Sequence, residues 1–221
     1  MTTQISKEIV FKGIAASGGV SIGPAIVISK AKTIIEERNI SAGETETEIQ
    51  KFSAAIEKTK SDILELQNKL KNAIGEKDSK IFDAHLLILN DKTLIDEIEK
   101  QVRADKKNID FVFNQNIKRY VSAISSMSDS YFRERAADIK DIAERVLRNL
   151  AEGDEGNGIF ENFTGQKIIV ADELAPTDIA ELDREKILAI VTETGAKTSH
   201  TAIMSRSLGI PAVVGIEGNP V

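Results

Sequence analysis

Residues from about 41 to 150 carry their apolar side chains three and four positions apart, which is the period of an α-helix. Ser41 and Glu44 have the spacing of a capping box, and the helix that they begin is expected to end near Gly75. Its apolar stripe consists of Ile49, Phe52, Ile56, Ile63, Leu66 and Leu70, with Thr59 on the same face. Four further runs, beginning near residues 81, 91, 113 and 130, each show one stripe and short connections, which predicts an antiparallel helical bundle.

The chain on both sides of this bundle is instead rich in glycine and β-branched residues. Short apolar runs predict strands at Ile9–Phe11, Ala25–Ile28, Lys167–Ala171, Ile187–Val191 and Ala212–Val214. A short helix is expected from Pro176, and the glycine-rich acidic stretch 151–158 is expected to be a linker. We therefore predict an α/β domain, formed by residues 1–33 and 151–221, that carries an inserted all-α antiparallel bundle of residues 34–150.

Composition excludes several classes of protein. The 221 residues include no cysteine and only two histidines, so disulfides, thiolate metal sites and a histidine metal cage are not expected. The net charge of −6 disfavours a nucleic-acid partner and favours a basic protein. The sequence shows neither a signal peptide nor an apolar run of membrane-spanning length, so we predict a cytoplasmic protein without membrane contact.

One of the two histidines, His200, stands where a short helix should begin. It follows an apolar strand and a turn that contains Gly195 and the hydroxyl residues Thr198 and Ser199, which are good helix caps. The start of a helix offers unpaired N–H groups and a partial positive charge, which favour a neutral imidazole and a bound phosphate. His200 is thus a candidate nucleophile, and Arg206 or Lys197 could neutralise a phosphoryl group; the alternative is an ordinary surface or capping histidine.

The run from Gly195 to Gly215 resembles the phosphohistidine signature of Enzyme I of the bacterial sugar phosphotransferase system, the phosphoenolpyruvate-protein phosphotransferase. Three other stretches match that family in order: Gly13–Ser17 with Gly23, Phe82–Leu89 with Asp91, and Glu134–Ile142. The resemblance implies an α/β phosphohistidine domain and a helical domain that docks the carrier protein HPr. It implies that His200 accepts phosphate originating from phosphoenolpyruvate and passes it to a histidine of HPr.

The resemblance also implies roles for individual residues. The phosphoryl pocket would be formed by Gly195, Thr198, Ser199, His200 and Arg206. The HPr contacts would include Glu76, His85, Asp91 and Arg135, with Arg135 near the incoming phosphoryl group. From the residues alone, a buried structural histidine is the simpler interpretation of His85, and a helix-surface ion pair with Asp138 or Glu134 that of Arg135.

Three positions depart from the family pattern. Ala196 stands where the family has a second glycine, and it would strain the turn if that position requires a positive φ. Lys197 replaces an arginine, and Ile179 replaces a threonine whose hydroxyl is thought to contact the active histidine. The tautomer of His200 would then be fixed by Thr177, by Thr198 or by a backbone carbonyl.

The family's phosphoenolpyruvate site, Mg²⁺ ligands and dimer contacts lie in a carboxy-terminal barrel, which these residues do not include. We therefore expect no cofactor or metal in this chain, which looks truncated near Val221, and a monomer that exchanges phosphate with HPr but does not use phosphoenolpyruvate alone. The full-length protein would be a homodimer that uses Mg²⁺. Two alternatives stay open: a swivelling phosphohistidine domain of a pyruvate phosphate dikinase or phosphoenolpyruvate synthase, and a non-enzymatic helical interaction module.

Overall fold

The computed structural model describes residues 9–28, 35–127, 130–151 and 164–217, which form two compact units. The first is an α/β unit formed by the described parts of residues 1–30, 163–174 and 182–221. The second is a helical unit formed by the described parts of residues 31–162 together with residues 175–181. The predicted fold class, an α/β domain interrupted by a helical bundle, is confirmed. The predicted linker at 151–158 lies almost entirely outside the described residues.

The α/β unit is built on one five-stranded sheet. Its strands are β1 (Lys12–Ser17), β2 (Ala25–Ile28), β3 (Lys167–Ala171), β4 (Ile187–Thr192) and β5 (Ala212–Glu217). Their order in the sheet is β1-β5-β4-β3-β2, with β1 antiparallel to β5 and every other pair parallel. The carboxyl ends of the four parallel strands therefore lie along one edge.

The first strand does not begin where the sequence predicted it. Ile9 and Val10 are 70% and 74% exposed and precede the strand, so the predicted strand at Ile9–Phe11 is wrong. The ladder with β5 instead starts at Lys12 and contains Gly13. A Cβ on Gly13 would lie 2.7 Å from the side chain of Val213, so this glycine allows the two strands to pack closely. Because glycine is common both in turns and in such close strand contacts, its position in the sequence does not locate the start of β1.

Eight helices are found among the described residues. They are α1 (Thr45–Ile74), α2 (Glu76–Ser79), α3 (Ile81–Leu89), α4 (Lys92–Asp105), α5 (Ile109–Ser125), α6 (Ser130–Leu150), α7 (Pro176–Glu181) and α8 (His200–Leu208). The long helices match the predicted ones, whereas the four-residue helix α2 was not predicted. Gly75, with a φ of +94°, ends α1 at the expected place. None of the described helices is both long and apolar enough to cross a membrane.

The helical unit is held together by the apolar stripe that the sequence predicted. Phe52, Ile63 and Leu70 of α1 are at most 2% exposed, and the ring of Phe52 packs against Phe113 of α5 with centroids 5.5 Å apart. Burial of each such side chain contributes about 1.5–3 kcal/mol. Thr59 fits on the same buried face because its hydroxyl donates to the carbonyl of Ala55 at 2.7 Å.

Half of the predicted capping box at the start of α1 is formed. The backbone N–H of Ser41 donates to a carboxylate oxygen of Glu44 at 2.7 Å. That hydrogen bond is the main reason why the pKa of Glu44 is lowered, with further lowering from the Ser41 side chain and from Arg38. The reciprocal side-chain bond is not made, since Glu44 itself has helical backbone angles and its N–H donates to the carbonyl of Ser41.

Helix α7 belongs to the helical unit, although the chain enters it from β3 and leaves it towards β4. The prediction placed residues 175–181 in the α/β domain, and in this respect the structure corrects it. The hydroxyl of Thr177 donates to Oδ1 of Asp141 on α6 at 2.6 Å, and Glu181 forms an ion pair with Arg145 of the same helix. These polar contacts, the first buried and the second partly buried, attach α7 to α6 and are not revealed by sequence periodicity.

Candidate functional site

The turn between β4 and α8 is tied to the carboxyl end of the neighbouring strand β3. The backbone N–H of Thr194 donates to the carbonyl of Asp172 at 2.9 Å, and the hydroxyl of Thr192 donates to the carbonyl of Thr194 at 2.7 Å. The turn therefore stands at the edge where parallel strands end, which is where open α/β sheets generally bind their ligands.

Gly195 gives this turn its shape. Its φ is +124°, and a Cβ there would lie 3.1 Å from Cβ of Val214, so an L side chain would be strained by the backbone angle and crowded by its neighbour. Ala196 has no such angle, because Lys106 is the one non-glycine residue with a positive φ in the described part of the chain. The strain that the sequence suggested at Ala196 is thus absent, since the unusual conformation falls on its glycine neighbour.

Ser199 caps α8, and His200 is the first residue of the helix, as predicted. The hydroxyl oxygen of Ser199 accepts a hydrogen bond from the N–H of Ala202 at 3.3 Å. The hydroxyl of buried Thr201 donates to the carbonyl of Leu174 at 3.1 Å, which fixes the first turn of α8 on the α/β unit. His200 itself is half-buried, so its imidazole combines a fixed backbone with partial access to solvent.

Arg206 reaches back from the last turn of α8 to the turn that precedes the helix. Its Nη2 donates to the carbonyl of Lys197 at 3.0 Å, and both side chains are exposed. Thr198 is also exposed in that turn. The structure therefore gathers a helix start, one imidazole, two cations and two hydroxyls within a single turn–helix segment, a combination that suits a phosphoryl group.

The four residues assigned to partner contacts differ in exposure. Glu76 and Asp91 are exposed, and Asp91 caps α4 by accepting hydrogen bonds from the N–H groups of Thr93 and Leu94 at 2.9 and 3.2 Å. Arg135 is half-exposed on α6, and its Nη1 lies 3.1 Å from Oδ2 of Asp138.

His85 is fully buried, with 0% of its surface exposed. Its side chain is not available for direct contact with a partner in this structure, which corrects the expectation drawn from the resemblance. The simpler interpretation, a buried histidine of the core, describes its surroundings better. The sequence left this choice open because His85 lies among leucines on a short, mostly apolar helix.

The structure also shows the surroundings of Thr177, which was considered for fixing the tautomer of His200, and of Ile179. The hydroxyl hydrogen of Thr177 is directed to Asp141, and Ile179 is 1% exposed, within α7. Nowhere in the described ranges do three or more His, Cys, Asp or Glu side chains come together in a way that could hold a metal ion.

The fold and the turn at His200 together define an α/β domain that has a helical insert and a turn suited to a phosphoryl group. In agreement with this, the family model described as PEP-utilising enzyme, N-terminal, matches residues 12–135, and the model described as PEP-utilising enzyme, mobile domain, matches residues 163–220. The chain belongs to the family of PEP-utilising enzymes.

Within that family, the chain is similar to proteins named phosphoenolpyruvate-protein phosphotransferase. It is 36% identical to the one of Bacillus subtilis over 92% of this chain and 35% of the relative, and 37% identical to the one of Listeria monocytogenes over 96% and 36%. A solution NMR structure of Enzyme I matches with a TM-score of 0.73 and 36% identity, covering 93% of this chain and 82% of the other. The chain thus spans about a third of the length of these curated relatives.

Proposed function

We propose that this chain is a phosphoryl relay of the sugar phosphotransferase system. His200 accepts a phosphoryl group that originates from phosphoenolpyruvate and passes it to a histidine of the carrier HPr. The observation that carries the proposal is the position of His200 as the first residue of α8, after the Ser199 cap and beside a turn that Arg206 folds onto. The similarity to phosphoenolpyruvate-protein phosphotransferases supports it.

The proposed step moves the phosphoryl group between two imidazoles. In the direction from carrier to chain, an unprotonated ring nitrogen of His200 attacks phosphorus in line, and the bond between phosphorus and the carrier's imidazole breaks. Negative charge on the non-bridging oxygens is stabilised by the helix start, by the Arg206 guanidinium and by the hydroxyls of Thr198 and Ser199. Because donor and acceptor are both histidines, the step runs readily in either direction.

HPr is proposed to bind the helical unit. Residues 41–100 contain thirteen acidic and nine basic side chains, which favours a basic partner surface. Leu87 of α3 is 74% exposed, a suitable apolar anchor, and the half-exposed Arg135 supplies a cation for the phosphoryl group. Asp91 and Glu76 are exposed acids in the same stretch of chain and are proposed as rim contacts.

Use of phosphoenolpyruvate is proposed to reside in the part of the relatives that this chain does not match. That part would supply the Mg²⁺ site and the homodimer contacts, and the 221 residues alone would be monomeric. The proposed compartment is the cytoplasm.

The proposal is tested by mixing the chain with HPr that carries a radiolabelled phosphoryl group. We expect the wild-type chain to take up acid-labile, base-stable label, and His200→Ala to take up none. Lys186→Ala is the matched control, because its ion pair with Asp183 is exposed and lies in the same unit. Equal labelling of His200→Ala and wild type would refute the assignment, and an unlabelled wild type would favour a non-enzymatic interaction module.

A further inference from the structure

Directly beneath the surface of the helical unit, α3 and α6 bring two ionisable side chains together. His85 of α3 has no exposed surface, and the side chain of Asp138 on α6 is 4% exposed. Nε2 of His85 lies 3.6 Å from Oδ1 of Asp138. The other carboxylate oxygen, Oδ2, accepts a hydrogen bond from Arg135 at 3.1 Å. The three residues form a row that leads from the core to the half-exposed guanidinium, and we call it the His85–Asp138–Arg135 row.

The inner end of this row is incompletely satisfied. Neither ring nitrogen of His85 has a hydrogen-bond partner within the described ranges, and neither does Oδ1 of Asp138. A buried carboxylate oxygen without a donor is costly, and the ring nitrogen beside it is the donor that a small movement would supply. That interaction requires the hydrogen of the imidazole to be on Nε2.

The His85 ring is held in place by its neighbour on the same helix. Phe82 is fully buried and meets the imidazole edge to face, with centroids 5.4 Å apart and an interplanar angle of 72°. A ring fixed in this way has little freedom to turn away from Asp138, so it can orient the carboxylate rather than merely fill space.

We propose that His85 and Asp138 are positioning residues for Arg135. His85 donates from Nε2 to Oδ1 of Asp138, which keeps Oδ2 directed to Arg135 and thereby limits the guanidinium to the orientation in which it receives the carrier's phosphoryl group. The inference rests on the proposed function for the role of Arg135 in transfer. It gives His85 a role that its burial permits, since the ring acts through two neighbours and touches no partner.

The transfer test compares His85→Leu, which removes the donor, with His85→Gln, whose Nε2 can donate from a similar position. We expect His85→Leu to lower the single-turnover rate of transfer from phosphorylated HPr about tenfold with little change in the apparent affinity for HPr. His85→Gln should restore most of the rate. Thermal unfolding of each variant identifies losses that come from misfolding alone.

A double-mutant cycle separates positioning from packing. If His85 acts through Arg135, His85→Leu should cause no further loss of rate in an Arg135→Ala background. The proposal would be overturned if the fold-losses in rate of the two single variants multiplied in the double variant. It would also be overturned by a folded His85→Leu chain that transfers at the wild-type rate. Failure of the wild-type chain to accept phosphate at all would instead refute the proposed function.

A second readout does not depend on phosphoryl transfer. Ring ¹⁵N NMR of the His85 imidazole, recorded at alkaline pH, should show the hydrogen on Nε2 in the wild-type chain. In Asp138→Asn the amide oxygen must stay on the Arg135 side, so its NH₂ faces the ring and the hydrogen should move to Nδ1. A wild-type ring with the hydrogen on Nδ1, or a tautomer that Asp138→Asn leaves unchanged, would contradict the row as described.

Discussion

Gly195 and Ala196 are adjacent in the turn before His200, and they tolerate substitution very differently. The first has a φ of +124° and faces Val214, whereas the second has no positive φ. We expect Gly195→Ala to destabilise the α/β unit by about 1–3 kcal/mol, because an L side chain there is strained and crowded.

The matched substitution is Ala196→Gly, which should change stability by less than about 1 kcal/mol because only backbone entropy is altered. Urea unfolding of both variants, followed by a probe in the α/β unit, provides the comparison. A larger loss for Ala196→Gly than for Gly195→Ala would mean that the turn has a different conformation from the one described.

At the level of single residues, the signals that placed His200 were local. A preceding apolar strand, a glycine and a Ser199 cap are all read within a dozen positions, and the structure confirms that His200 begins the helix. The surroundings of His85 could not be read in this way, since Asp138, which lies beside its ring, is 53 positions further along the chain on another helix. Contacts between residues so far apart in the sequence produce no periodic pattern in it.

Among the helices, α4 is capped at its start by a residue that has two separable properties. Asp91 accepts hydrogen bonds from two N–H groups of the first turn, and it is also an exposed carboxylate that we propose as a rim contact for HPr. Asp91→Ala should lose the cap and destabilise the helical unit by about 1 kcal/mol.

Asp91→Asn separates these two properties because it keeps a capping oxygen and loses the charge. We expect near wild-type thermal stability for Asp91→Asn together with weaker binding of HPr, measured by calorimetry at low ionic strength. Unchanged affinity for HPr in Asp91→Asn would limit Asp91 to its structural role.

Helix α7 is attached to α6 by polar contacts rather than by an apolar stripe. Thr177→Val keeps the shape of the side chain but removes a buried donor from Asp141, so we expect it to destabilise the helical unit by about 1–3 kcal/mol. Thr93→Val, at an exposed position of α4, is the control and should have little effect. Amide hydrogen exchange of α6 and α7 is the measurement, and equal protection in both variants would show that the contact contributes nothing.

The elements also show where sequence patterns stop being informative. The long helices α1, α4, α5 and α6 were predicted because each buries one stripe at a fixed period. The start of β1 was misplaced, since its ladder with β5 pairs residues about 200 positions apart and uses a glycine that pattern analysis assigns to turns. Helix α7 is joined to the helical unit by Thr177 and Glu181, whose partners on α6 lie 36 positions earlier in the sequence.

At the scale of the whole molecule, the chain is expected to distinguish between two phosphoryl donors. The chain matches about a third of the length of its relatives, and its two family matches span residues 12–135 and 163–220. We therefore expect the 221 residues to exchange phosphate with HPr but to take none from phosphoenolpyruvate and Mg²⁺ without the remainder of a full-length relative.

The most direct measurement is to locate the phosphoryl group by tandem mass spectrometry, under neutral conditions, after incubation with phosphorylated HPr. We expect a single modified residue, His200, and loss of the modification when unphosphorylated HPr is added in excess. A phosphoryl group found on His85 or on a hydroxyl residue, with an unmodified His200, would contradict it.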